Sequence, residues 1–195
     1  MPSPSPELWL LRHSATDWAR NGRHTGRTDR PLLPEGEEEA RRLAPALAGM
    51  AFDAVLTSPL QRARRTCELA GLGKDARIVD DLREWDYGDY EGITTAEIRR
   101  SVPGWTVFSH PCPGGESLEQ VGQRCQRLLN HCQGLIGGHG RLALFAHGHI
   151  LRALAGTWLG LGPGGGALLS LSTGTLSVLG REREQAVLLR WNAPV

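Results

Sequence analysis

The sequence predicts an α/β fold, a three-layer α/β/α sandwich around a mostly parallel central sheet. Three observations carry that prediction. Short apolar runs without helical period, at residues 8–11, 53–56 and 141–146, read as buried strands. Each is followed by a segment with helical spacing, and strands alternating with helices build a parallel sheet covered on both faces. The first and third runs end abruptly in Arg12-His13 and His147-Gly148-His149, at the edge where open α/β sheets place their chemistry.

The elements follow in order. After the first strand, residues 17–21 have room for one helical turn, and 22–33 form a polar loop rich in Gly, Thr, Asp and Pro. Pro34 and four nearby glutamates open a helix in whose first turn the dipole favours acids. Ala40, Leu43, Ala44 and Leu47 give its apolar stripe and Gly49 its stop. A strand over 52–57 leads into Ser58-Pro59, read as N-cap and first residue of a helix that buries Leu60, Ala63, Cys67 and Ala70. Ile78-Val79 is a short strand. Residues 81–92, DLREWDYGDYEG, keep neither period and read as an ordered loop. Thr94 to Glu97 and Ser117 to Gln120 are capping boxes for a brief and a longer helix. The longer one turns Leu118, Val121, Cys125, Leu128 and Cys132 inward. Between them, Pro103 to Glu116 form a covering insertion, with Trp105 and Phe108 as pocket wall. A helix runs from Gly148 through Leu159, a flexible Pro163-Gly164-Gly165-Gly166 link follows, and residues 167–171, 175–179 and 186–191 alternate as late strands, one of them a candidate antiparallel edge.

With 195 residues, 40% of them hydrophobic, the chain has room for one sizeable core. It is expected to be a flexible tail, 1–6, and a single domain, 7–195, with an insertion at about 93–116 over the site. The formal net charge of +1 gives no global field for nucleic acid or a membrane surface, so any anion site must be local. No apolar run approaches the roughly 18 residues of a membrane span, and the tail lacks the basic start of a signal peptide. The four cysteines form no CxxC pair, which predicts buried thiols in a reducing cytoplasm.

Three strand-to-helix junctions therefore present cations or imidazoles: Arg12-His13, the segment from Ser58 to Arg62, and His147-Gly148-His149. Neighbouring strands bring such edges together, and the helix N-termini add backbone N–H groups, a pattern suited to a phosphoryl group.

Six ordered motifs, LLRHSATDW, GRHTGRTDRPL, TSPLQRARRT, DLREWDYGDYEG, PGGES and FAHGHILR, resemble those of the histidine phosphatase superfamily, also called phosphoglycerate mutase-like. The wording is most similar to a branch of small sugar-bisphosphatases and acid phosphatases. The resemblance implies a phosphoglycerate mutase-like fold and a metal-independent phosphomonoesterase for a small metabolite, expected to be a sugar phosphate. It implies His13 as the nucleophile that becomes phosphohistidine, and Arg12, Arg62 and His147 as holders of the phosphoryl oxygens. Glu84 is implied as the acid that protonates the leaving alkoxide and then activates water, though Glu91 lies in the same loop. Thr25, Gly26, Tyr87, Gly148 and Arg152 match substrate-contacting positions. Ser14 replaces the family's usual glycine, and Ala19 its frequent asparagine. His149 pairs with His147 as HxH, but no carboxylate or thiol stands at ligand spacing, so no metal and no cofactor are expected. His24, His110, His131 and His139 read as loop or surface residues. The expected partner is a small-molecule phosphate ester, with no nucleic acid and no membrane, and a homodimer is left open. A phosphoglycerate mutase and a non-catalytic scaffold on the same fold are the alternatives.

Overall fold

The computed structural model describes residues 5–195; of the expected tail, residues 1–4 lie outside the described part. In chain order the regular elements are β1 (Glu7–Arg12), α1 (Asp17–Arg20), α2 (Pro34–Leu47), β2 (Ala54–Thr57), α3 (Gln61–Leu69) and β3 (Ala76–Ile78). Then come α4 (Thr95–Ile98), α5 (Leu118–Ile136), β4 (Arg141–Ala146), α6 (Gly148–Trp158), β5 (Leu176–Glu182) and β6 (Gln185–Ala193). One six-stranded sheet has the order β3-β2-β4-β1-β5-β6. The first four of these run parallel and β5 and β6 add an antiparallel edge.

The central strands β1, β2 and β4 are apolar along most of their length because both faces are covered. Leu8 and Leu10 of β1 and Leu142 and Leu144 of β4 pack with Val121, Cys125, Leu128 and Cys132 of α5 and with Ile150, Leu151 and Leu154 of α6. Leu11, Ala143 and Phe145 point the other way, onto Leu43 and Leu47 of α2 and Cys67 of α3. Each fully buried leucine or phenylalanine contributes about 1.5–3 kcal/mol. Both expected capping boxes form, at Thr94/Glu97 and Ser117/Gln120, and α5 ends on Gly137 in the left-handed region.

Register places the site. Arg12 lies opposite Ala146, and Thr57 opposite Phe145. The next residues extend the ladders: the His13 N–H donates to Ala146 O at 2.9 Å and the Ser58 N–H to Phe145 O at 2.9 Å. His13, Ser58 and His147 are thereby neighbours at one sheet edge.

Two elements differ from expectation. α3 starts at Gln61, not at Pro59: Ser58 and Pro59 form a turn, and the Gln61 N–H is taken by Asp29 Oδ1 at 2.8 Å. The cap comes from the distant polar loop, so Ser58 is released for His147. Residues 167–171 are not a strand. A 3-10 segment, Pro163–Leu168, wraps the flank of α6 so closely that a Cβ on Gly166 would stand 2.8 Å from the Arg152 carbonyl carbon. β5, and not 167–171, takes the place beside β1.

Candidate active site

His13 follows β1 and is 4% exposed. Its Nδ1 lies 2.8 Å from the Ser14 carbonyl oxygen. A carbonyl only accepts, so Nδ1 carries the proton and Nε2 keeps a free lone pair. Burial first, then the neighbouring Arg62 and Arg12, hold the ring well below the ordinary histidine range, which keeps it neutral at pH near 7. The turn beyond it is pinned from two sides. The Ser14 N–H donates to Thr66 Oγ1 at 3.1 Å, and the Ala15 N–H to Glu39 Oε2 at 2.7 Å. Ser14 stands outside the left-handed region, so its Cβ replaces glycine without backbone strain; its hydroxyl is buried and unpaired and does not line the cleft.

A cleft of about 220 Å³ opens over His13. Arg12 borders it with its Nε buried and unpaired, while NH1 donates to the Leu171 carbonyl. An unpaired buried donor on a residue that borders a cavity calls for an explanation, and an incoming acceptor supplies one. Gly148 packs against Arg12: a Cβ there would stand 3.3 Å from the guanidinium carbon, so the guanidinium would have to give by a few tenths of an ångström. Thr25, Tyr87, His149 and Arg152 complete the walls. Arg152 is held by its Nε bond to Gly166 O (3.0 Å) and lies 4.7 Å over the Phe108 ring, a cation–π placement. Its charge is thus fixed on one wall.

Of the two loop glutamates, Glu84 reaches the cleft. Its Oε1 accepts from the Trp85 and Ile150 N–H groups, both at 2.9 Å, and Oε2 from the His149 N–H at 3.0 Å. The His149 and Ile150 N–H groups belong to the first turn of α6, where backbone donors lack helical partners. Glu91 instead accepts from the Gly26 N–H at 2.9 and 3.0 Å and from the Thr28 N–H at 3.1 Å. It holds the 25–28 turn in shape.

Arg62 and His147 stand beside His13 and do not line the cleft. Both are fully buried, and the His13 and His147 ring centres are 5.1 Å apart. Arg62 donates its Nε to His147 Nδ1 (3.1 Å), NH1 to Thr28 O (3.0 Å), and NH2 to Thr25 O (2.9 Å) and Gly26 O (3.0 Å). His147 therefore accepts at Nδ1 and donates from Nε2 to Ser58 Oγ at 2.8 Å. The 25–28 turn and Ser58 fold over them. Gly26 is also structural in place. Its N–H is taken by Glu91, and a Cβ would stand 2.6 Å from the Trp85 carbonyl oxygen.

Two histidines outside the sequence-derived phosphoryl-contact set line the cleft. His24, expected in a loop or on the surface, is 9% exposed, with Nε2 at 3.2 Å from Thr95 Oγ1 and its ring centre 4.7 Å from that of Tyr87. His149 sits with Nδ1 2.6 Å from the Tyr87 hydroxyl. The only sequence signals are the adjacency of His24 to Thr25 and the HxH spacing. Among the described residues no group of three His, Cys, Asp or Glu side chains is placed to hold a metal ion.

Burial pulls His24 down to about 4 from the ordinary 6.5. Between those values the unfolded chain binds a proton that the folded chain does not, so stability rises with pH across that window and falls on acidification. One proton is worth about 1.4 kcal/mol per pH unit. Urea midpoints taken across the window should show this slope, reduced by one proton in His24→Phe; an unchanged slope would place the ring in water.

Residues 8–194 match the Histidine phosphatase superfamily (branch 1). The chain is 38% identical over 187 residues to an acid phosphatase from Mycobacterium tuberculosis, covering 93% of this chain and 91% of that one. It is 38% identical over 191 residues to the sedoheptulose 1,7-bisphosphatase of Saccharomyces cerevisiae, covering 83% of this chain and 70% of the relative. A solved structure of a Mycobacterium tuberculosis open reading frame product superposes with a TM-score of 0.91 at 34% identity, covering 96% and 97% of the two chains. With the family model matching residues 8–194 and relatives of 38% identity over most of both chains, this chain belongs to the histidine phosphatase superfamily.

Proposed function

We propose that the protein is a metal-independent phosphomonoesterase that hydrolyses a sugar phosphate through a phosphohistidine on His13. The observation that carries this reading is the imidazole tethered through Nδ1 to Ser14 O, its Nε2 lone pair free, beside an arginine with an unpaired buried Nε. In the first step Nε2 attacks phosphorus, the ester P–O bond breaks, and the leaving alkoxide takes a proton from Glu84. The cationic phosphoimidazole keeps its Nδ1–H on the Ser14 carbonyl. In the second step water attacks the same phosphorus, Glu84 takes its proton, and Nε2 leaves as a neutral imidazole. Glu84 Oε2, which accepts one N–H against two at Oε1, is the oxygen with room to carry the proton. Arg12, Arg152 and the first N–H of α6 orient the phosphoryl group and oppose its developing charge, while Arg62 and His147 fix the wall behind it.

The relatives named as acid phosphatase and sedoheptulose 1,7-bisphosphatase support a small phosphorylated metabolite as substrate. The four free cysteines support a cytoplasmic location. Phosphate release from a panel of sugar phosphates, nucleotides and aryl phosphates, with EDTA present, tests the reading. Turnover of sugar phosphates unaffected by EDTA is expected. Conversion of 3-phosphoglycerate to 2-phosphoglycerate without free phosphate would identify a mutase instead.

A further inference from the structure

Glu84 stands on a loop, and what holds that loop does not touch the cleft. Arg124 of α5, 7% exposed, reaches beneath residues 81–86. Its NH1 donates to the carbonyls of Asp81 (3.0 Å) and Arg83, and its NH2 to that of Glu84 (3.4 Å). The same guanidinium grips Glu116 through Nε at 3.0 Å and NH2 at 2.7 Å. Glu116 completes the hold. Its carboxylate accepts from the Asp86 N–H, its own N–H donates to Asp86 O, and its carbonyl accepts from Trp85 Nε1, each at 2.9 Å. One ion pair thus anchors Asp81, Arg83, Glu84, Trp85 and Asp86. The approach is close enough to require glycine before Glu116, since a Cβ on Gly115 would stand 2.2 Å from Asp86 O.

Behind Glu84 lies a second cavity of about 150 Å³, bordered by Arg124, Glu116, Leu60 and Asp80 and separate from the substrate cleft. It gives the loop somewhere to go when the pair is broken. The front of Glu84 is fixed by the two N–H groups of α6, so its carboxyl is held between α6 and Arg124.

We propose that Arg124 and Glu116 are positioning residues that set the place of the Glu84 carboxyl over the leaving-group oxygen, governing proton transfer without contacting substrate. The proposal rests on Glu84 being the acid of the reaction. Displacement of an acid by about 1 Å costs roughly 100-fold when the transfer is needed. An aryl ester with an acidic phenol needs little of it, whereas an alkyl ester needs all of it.

The test compares kcat/KM for an alkyl phosphate and p-nitrophenyl phosphate in Arg124→Lys, Arg124→Met, Glu116→Gln and Glu84→Gln, with inhibition by inorganic phosphate measured in each. Expected for Arg124→Met is a loss of about 100-fold on the alkyl ester, with less than about threefold on the aryl ester and in phosphate affinity. Arg124→Lys should recover part of it. Glu116→Gln, which keeps the shape of the pair, carries the test if Arg124→Met does not fold. Equal losses on both esters in the Arg124 and Glu116 variants, with unequal losses in Glu84→Gln, would overturn the positioning role. Equal losses in Glu84→Gln itself would remove the acid assignment and the proposal with it.

Discussion

Replacing His13 by alanine is expected to lower kcat/KM by about 10⁴-fold or more, the range seen when a covalent nucleophile is lost. Spontaneous hydrolysis of phosphate monoesters is so slow that enzymatic accelerations reach ~10²¹, and a factor of ~10⁴ is roughly 5.5 kcal/mol of that. The remainder persists because Arg12, Arg152 and the α6 N-terminus still bind and polarise the ester. The fold should survive, since the ring of His13 donates one hydrogen bond, to the adjacent Ser14 carbonyl. Steady-state rates on the best substrate, with the melting temperature as control, check this. A variant that keeps comparable turnover would show that the attacking group is elsewhere.

The second large effect is on stability. Arg62→Met keeps the length of the side chain and removes every donor, leaving the carbonyls of Thr25, Gly26 and Thr28 and the Nδ1 of His147 without their partner. Each buried acceptor stripped in this way costs about 1–3 kcal/mol, part of which relaxation and entering water offset. A net loss of about 3 kcal/mol is expected, and at roughly 2–4 °C per kcal/mol for a chain of this size the melting temperature should fall by about 6–12 °C. Activity should fall as well, because the 25–28 turn carries the Thr25 wall. An unchanged melting temperature together with lost turnover would mean that the guanidinium serves the substrate and not the turn.

Arg62 also marks the limit of what the sequence discloses. The buried strands, both capping boxes and the convergence of Arg12, His13 and His147 at one sheet edge are legible, because each depends on local spacing or on the topology that spacing implies. Three of the four acceptors of Arg62 are backbone carbonyls 34 to 37 positions away, and any residue type supplies a carbonyl, so nothing in the letters distinguishes a buried strut from a phosphate ligand. The start of α3 is hidden for the same reason. Its cap, Asp29, is 32 positions upstream, while Ser58-Pro59 offers a better local signal that the fold uses otherwise. His24 and His149 take their place from Tyr87, which is distant from both in the chain. Residues 167–171 alternate like a strand, yet the place beside β1 is taken by β5. The choice between Glu84 and Glu91 was likewise tertiary, decided by which carboxylate met the first turn of α6.

The central claim is that a neutral imidazole with its Nε2 free takes the phosphoryl group in a covalent step. Rapid quench of the enzyme after brief exposure to substrate labelled in the phosphoryl group measures it directly. Acid-labile, base-stable label on His13, attached at Nε2 and lost with the His13→Ala substitution, is the predicted result. Turnover at full rate with no trapped adduct, or with the label on another side chain, would contradict it.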